Sequence, residues 1–198
     1  MKKTLIFDVG DVVIKTTPNL HYKKLANLVN IDWNKVKFLI ENSGVISNFE
    51  GGLIDKKEFI KKINNLLNSK LCKKTIEHIW DSVLADVNID LLNFINTLDL
   101  DIVFASNTNI LHWKLIYQIL NFYLNREFGI FLSFREKVRK PNLKFYKNLL
   151  NKFKLQAMNA VFIDDSLTNV NAAKKLGINI IHFKNIDSLK ENFKKLMS

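Results

Sequence analysis

At 198 residues, 47% of them hydrophobic, the chain has room for one globular unit carrying at most a smaller inserted lobe. The net charge of +11 is almost all lysine, since Arg126, Arg135 and Arg139 are the only arginines, and lysine, asparagine and isoleucine are over-used together as in an AT-rich coding sequence. The lysines fall in helical stretches such as Lys56-Lys57 and Lys61-Lys62, away from aromatics and glycines, so no nucleic-acid partner is expected, although a basic surface helps draw an anionic substrate.

Residues 1–7 start like a signal peptide, but Asp8 ends the apolar stretch too early. No apolar run approaches the roughly 20 residues that span a bilayer, so no membrane partner is expected. The single cysteine, Cys72, has no metal-ligand spacing and fits a reducing compartment, so the expected location is the cytoplasm.

Residues 4–9 form a short apolar run closed by Gly10, which predicts a buried parallel strand. Residues 16–84 read as wholly helical. Tyr22, Leu25, Ala26 and Val29 share one face, and Val36, Phe38, Leu39 and Ile40 supply another stripe. Asp55 and Glu58 look like a capping box, and Glu50-Gly51-Gly52 interrupts the helices as a loop. His78 and Trp80 fall in the apolar pattern and read as core.

Beyond residue 84 the pattern becomes strand, helix, strand. Residues 101–105 read as a strand, 110–121 as a helix, and Ile130 and Phe131 as part of a short strand. Pro141-Asn142 opens a helix carrying Phe145, Tyr146, Leu149 and Leu150. A strand at 160–163, a helix at 167–176 stopped by Gly177, and a strand at 178–182 follow. Repeated strand–helix units predict an α/β fold: a Rossmann-like, doubly wound parallel sheet covered by helices on both faces. The expected division is a catalytic core of residues 1–15 and 85–198 with an inserted all-helical cap, 16–84, over the sheet's carboxyl edge, where open α/β sheets bind ligands.

Polar residues gather where predicted strands end: Asp8, Ser106-Asn107 and Asp164-Asp165, with Lys140 leading into a helix at Pro141. One acidic residue closing a strand is commonplace and often only caps a helix. Several on one sheet edge point to chemistry. Two carboxylate sites and a hydroxyl around one lysine suit a divalent cation and a phosphoryl group, magnesium preferring hard oxygen ligands.

These residues resemble a known superfamily. Phe7-Asp8-Val9-Gly10-Asp11 is similar to the first motif of haloacid-dehalogenase-type hydrolases. Ser106-Asn107-Thr108-Asn109 resembles the second motif, Arg139-Lys140-Pro141 the third, and Asp164-Asp165-Ser166 the fourth. All four occur in order along the whole chain, and the Asp-x-Gly form looks most like the glucose-1-phosphatase-like branch with its helical cap. The resemblance implies a magnesium-dependent phosphatase of small phosphomonoesters, such as an anomeric sugar phosphate. It makes Asp8 the nucleophile that forms an aspartyl-phosphate, and Lys140 the cation that neutralises the phosphoryl group and holds Asp8. Asp8, the Gly10 carbonyl and Asp165 would hold magnesium, with Asp164 as a further ligand or a partner through water. Ser106, Asn107 and Lys140 would bind the phosphoryl group, through neighbouring backbone N–H groups as well.

Gly10 departs from the usual pattern of that superfamily, in which a second aspartate protonates the leaving group. Asp11 is one residue too far along, and a turn or cap role is expected for it. His112 is expected to pack on a helix face, and the loop around Asn48, Phe49 and Glu50 is placed to reach the site. Two other readings stand beside the phosphatase: a metal-independent haloacid dehalogenase, and a non-catalytic binding protein that kept the fold. The Asp164-Asp165 pair favours the first, because it suits magnesium and would repel a carboxylate substrate.

Overall fold

The computed structural model describes residues 3–197, so Met1 and Lys2 of the N-terminal stretch lie outside the described residues. The chain begins with β1 (Thr4–Phe7) and β2 (Ile14–Thr16). A helical block follows: α1 (Leu20–Val29), α2 (Trp33–Asn42), α3 (Val45–Glu50), α4 (Lys56–Leu66) and α5 (Lys73–Asp81). Then come β3 (Leu84–Val87), α6 (Ile89–Thr97), β4 (Asp101–Ser106), α7 (Ile110–Tyr123), β5 (Gly129–Leu132) and α8 (Ser133–Glu136). The chain closes with α9 (Leu143–Lys152), β6 (Ala160–Asp164), α10 (Leu167–Lys174), β7 (Asn179–His182) and α11 (Ile186–Met197).

Five strands form a parallel sheet in the order β5-β4-β1-β6-β7. Alternate residues of β1 face opposite layers, as the two-residue period requires. Leu5 and Phe7 join α6, α7 and α11 in one apolar cluster, while Ile6 joins α9 and α10 in another. Both faces are covered, which is why β1, β4 and β6 are almost continuously apolar and buried. Phe7 is level with Phe104 of β4 and Ile163 of β6. That register brings Asp8, Ser106 and Asp164 to one edge of the sheet.

Helices α1 to α5 enclose a third cluster built on Leu25, Ile40, Phe49, Phe59, Ile63 and Trp80, with Phe49 stacked on Phe59 at 4.2 Å. The Asp55 carboxylate accepts from Glu58 N–H at 2.7 Å and caps α4. Two expectations fail in this region. Residues 16–84 are not wholly helical to their ends, because β2 pairs antiparallel with β3 as a two-stranded ribbon where the block joins the rest. Strands of three and four residues, paired across about 70 positions of sequence, show no periodicity to read. His78 is exposed, since α5 buries the stripe Ile76, Ile79 and Trp80 and turns His78 off it.

Candidate active site

Asp8 follows β1 directly and is 8% exposed. Its Oδ1 accepts from Val9 N–H at 2.7 Å and from Lys140 Nζ at 2.8 Å. Lys140 Nζ also donates to Asp164 Oδ2 at 2.7 Å, so one buried ammonium bridges two buried carboxylates. The Lys140 backbone is clamped by the Asn107 side chain, whose Oδ1 accepts from Lys140 N–H at 2.8 Å while its Nδ2 donates to the Lys140 carbonyl at 2.9 Å. Both ends of the Asn107 side-chain amide are therefore engaged. Asp164 Oδ1 accepts from Ser166 N–H at 2.9 Å and Asn169 Nδ2 at 3.0 Å, so both of its oxygens are held. Asp165, next in the chain, is exposed.

One carboxylate oxygen each from Asp8, Asp164 and Asp165 lie within 4.8 Å of one another. Three carboxylates against one ammonium leave an excess of negative charge, an arrangement that a hard divalent cation relieves. The titration behaviour agrees. Burial pushes Asp8 up to about 7, against the attraction of Lys140 and with a further push from Asp164. Burial, then Asp164 and Asp11, raise Asp165. Burial alone would lower Lys140, but Asp8 and Asp164 outweigh it and hold the ammonium charged.

Gly10 lies beside this cluster, and a Cβ built on it would meet nothing within 4 Å. Space is therefore available for a side chain that the sequence omits. Asp11 does not fill the gap. It is exposed, in the left-handed region at φ 55°, and its carboxylate turns back to accept from Thr16 N–H at 2.8 Å and Thr16 Oγ1 at 3.0 Å. The turn role expected of Asp11 holds: residues 11–13 form a tight turn that carries its carboxylate back onto Thr16.

A cavity of about 510 Å³ opens over Asp8, Gly10, Ser106 and Asn107. Its far wall comes from the helical block and its junctions: His21, Tyr22, Glu41, Ile46, Ser47, Glu50 and Trp80. His112 and Arg139 complete it from the sheet side. His112 Nε2 lies 3.0 Å from the Trp80 carbonyl, and burial lowers its pKa. Burial, with His112 nearby, drops His21 to about 4, so both imidazoles are neutral at ordinary pH. Tyr22 Oη donates to Glu41 at 3.3 Å. Glu50 is paired with Arg139 at 2.6 Å, and burial raises its pKa.

The sequence model of haloacid dehalogenase-like hydrolases matches residues 2–177. The chain belongs to that family. Over 187 residues it is 21% identical to the D-ribitol-5-phosphate phosphatase of Bacteroides thetaiotaomicron, covering 89% of each chain. A shorter stretch of 54 residues, 27% of this chain and 28% of the relative, is 43% identical to a sesquiterpene phosphatase of Aspergillus oryzae. Among solved structures, a HAD family enzyme of Bacteroides thetaiotaomicron in complex with magnesium and inorganic phosphate superposes with a TM-score of 0.83 at 24% identity, covering 93% of this chain and 95% of that one. A predicted HAD-like family hydrolase of Porphyromonas gingivalis gives 0.85 at 18% identity, covering 100% and 98%. The L-2-haloacid dehalogenase RSc1362 gives 0.61 at 14%, covering 90% and 85%. These likenesses show a shared fold.

In this haloacid dehalogenase-like hydrolase the expected site residues Asp8, Gly10, Ser106, Asn107, Lys140, Asp164 and Asp165 all lie at one sheet edge. The loop expected around Asn48, Phe49 and Glu50 is instead the end of helix α3, in which Glu50 lines the cavity, Phe49 is buried in the helical block, and Asn48 lines a different hollow. Nothing local in the sequence marks His21, Tyr22 and Glu41 as cavity residues, and Arg139 stands out there only as the neighbour of Lys140. Their signal in the sequence is faint. His21 and Tyr22 belong to an ordinary amphipathic helix, and only folding turns one end of it toward Asp8.

Proposed function

We propose that the chain is a magnesium-dependent phosphatase of small phosphomonoesters, sugar phosphates such as anomeric ones included. In this reading residues 16–84 are a cap lobe over a core of 1–15 and 85–198, as in the glucose-1-phosphatase-like branch. The observation that carries it is the Lys140 ammonium, bridging Asp8 at 2.8 Å and Asp164 at 2.7 Å beside the exposed carboxylate of Asp165. A buried lysine between two carboxylates is a fixed cation, suited to steady a nucleophile and meet phosphoryl charge. The magnesium and phosphate of the Bacteroides thetaiotaomicron structure favour the same chemistry here.

The donor set fits magnesium, with Asp8, the Gly10 carbonyl and Asp165 as ligands and Asp164 as a partner behind them. Bound there, the cation would neutralise phosphoryl and carboxylate charge. Asp8 attacks phosphorus with its carboxylate, the bond to the leaving oxygen breaks, and an aspartyl-phosphate forms. Water then attacks phosphorus, releasing phosphate and restoring Asp8. Ser106 and the backbone N–H groups after it take phosphoryl oxygens, and Lys140 holds Asp8 aligned throughout. With glycine at position 10 and Asp11 turned outward, no carboxylic acid stands beside the leaving oxygen, which takes its proton from water or the cap side. The substrate is a small phosphate ester and not a nucleic acid. The lone exposed Cys72 is compatible with a reducing compartment such as the cytoplasm.

A panel of phosphomonoesters assayed with magnesium and with a chelator tests this. Hydrolysis abolished by the chelator is expected. Halide release from a 2-haloacid without metal would overturn it in favour of a dehalogenase, and turnover of nothing would favour a binding protein.

A further inference from the structure

Two consecutive residues serve different lobes. Lys140 reaches between Asp8 and Asp164, while Arg139 reaches into the helical block. Arg139 Nη2 donates to Glu50 Oε2 at 2.6 Å and Nη1 to Ser47 Oγ at 3.1 Å. Glu50 closes α3, and its own backbone is held as well. The Glu50 carbonyl accepts from the Ser133 hydroxyl at 2.5 Å, and the Ser133 oxygen accepts from Thr108 N–H at 3.0 Å, two residues past Ser106. Just beyond, Gly52 sits at φ +65° against Phe134, where a Cβ would lie 2.0 Å from the Phe134 carbonyl oxygen. Only glycine permits both that backbone conformation and that approach.

The segment from Ser47 to Gly52 is thus fastened to the core at two places, to Arg139 beside Lys140 and to the start of α8, whose Ser133 in turn holds Thr108 just past Ser106. The Glu50 side chain is 19% exposed and that of Arg139 34%, so the pair is sheltered at the cavity wall rather than on the open surface. Charge-assisted contacts in such a setting are shorter and stronger than neutral ones.

We infer that Glu50 is a positioning residue: its pairing with Arg139 is a latch that couples seating of α3 on the core to the placement of Lys140 and Ser106 around the phosphoryl group. The inference rests on the phosphatase reading above. Lifting the helical block to admit ester or release product breaks the pair, and re-seating it restores the geometry. Misplacement of about 1 Å at a reacting centre costs on the order of 10²-fold in rate, so the latch acts on kcat rather than on KM.

The test uses Glu50→Gln, Arg139→Gln, the double variant and Arg139→Lys, each assayed with magnesium on aryl and alkyl phosphates and examined by amide hydrogen exchange. Each glutamine variant should lose about 10–100-fold in kcat with KM little changed, and the double should be no worse than the poorer single. Arg139→Lys keeps the charge but not the forked contact, and should recover part of the loss. The dependence on leaving-group basicity should match wild type. Exchange should quicken in residues 45–54 and 133–140 but not in β1 or β6. A loss confined to basic leaving groups would make Glu50 a proton donor and overturn the latch; so would a loss in KM alone, or losses that simply add. If wild type hydrolyses no phosphomonoester, the phosphatase reading fails, and exchange alone decides: unchanged protection in residues 45–54 removes the latch.

Discussion

The two walls of the cavity are built on different terms. On the sheet side Asp8, Lys140 and Asp164 are buried, and their charged atoms hold one another at 2.7–2.8 Å with Asn107, Ser166 and Asn169 in support. On the helical-block side the buried His21 Nδ1 finds no hydrogen-bond partner among the described residues, and at the junction with the core Thr108 Oγ1 and Arg139 Nε likewise find none. Leaving a buried polar atom unmatched costs about 1–3 kcal/mol, so each such atom calls for a partner from solvent, an ion or a ligand. On the proposed reading, the comparison teaches that the carboxylates and ammonium assigned to phosphoryl chemistry hold one another in place, whereas polar atoms around the rest of the cavity are left for other partners.

The largest effect should separate the walls in stability. Lys140→Met leaves Asp8 and Asp164 buried and facing each other, and should cost about 3–5 kcal/mol in chemical denaturation, along with activity. Glu50→Gln leaves Arg139 a neutral hydrogen-bond acceptor at a partly sheltered site and should cost less, about 1 kcal/mol. Equal losses would break the comparison.

Gly10→Asp asks what the sheet side lacks. The site has room for the side chain, so the variant should fold. General acid catalysis contributes about 10²–10⁴-fold, and on the proposed reading most of that should be missing for basic alkoxide leaving groups. Wild type should therefore favour aryl and anomeric phosphates over esters of primary alcohols, and Gly10→Asp should flatten the dependence. A flat dependence in wild type would show that another acid is present.

A subtler contrast lies within the acidic pair. Both oxygens of Asp164 are held by protein donors, whereas Asp165 is exposed. Asp165→Ala should weaken magnesium binding, read by calorimetry, with little change in stability. Asp164→Ala should chiefly destabilise, by freeing Lys140 and Asn169. Equal metal affinity in the two variants would undo that division.

The smallest effect concerns pH on the helical-block side. Burial holds His21 neutral down to about 4, while the unfolded chain takes up its proton near 6.5. Between those values the unfolded state binds the extra proton, so stability is full above about 6.5 and falls as pH drops toward 4. His112, also lowered by burial, acts in the same sense. Thermal melts from pH 7 to about 4.5 should be flatter for His21→Phe than for wild type, and identical profiles would remove His21 from the account.

What the sequence made legible follows the same divide. Strands β1, β4 and β6 announce themselves as short apolar runs, and a parallel register carries the residues at their ends to one edge, so Asp8, Ser106 and Asp164 could be grouped before any coordinates. Lys140 came with them because Pro141 marks the start of a helix. The wall supplied by the helical block could not be read this way. His21, Tyr22 and Glu41 converge only through helix packing, which no local period encodes. The Arg139–Glu50 contact joins positions 89 residues apart, and the β2–β3 ribbon is too short to show its alternation. The turn of Asp11 back onto Thr16 depends on a left-handed backbone that nothing but its aspartate hints at.

Asp8→Asn puts the central claim to the most direct trial. The amide is nearly the same size, keeps the fold, and is a poor nucleophile toward phosphorus. Magnesium-dependent hydrolysis of an aryl phosphate by the folded variant should vanish into background. Turnover within about tenfold of wild type, a barrier change of only about 1.4 kcal/mol, would show that Asp8 does not attack the substrate and would contradict the account.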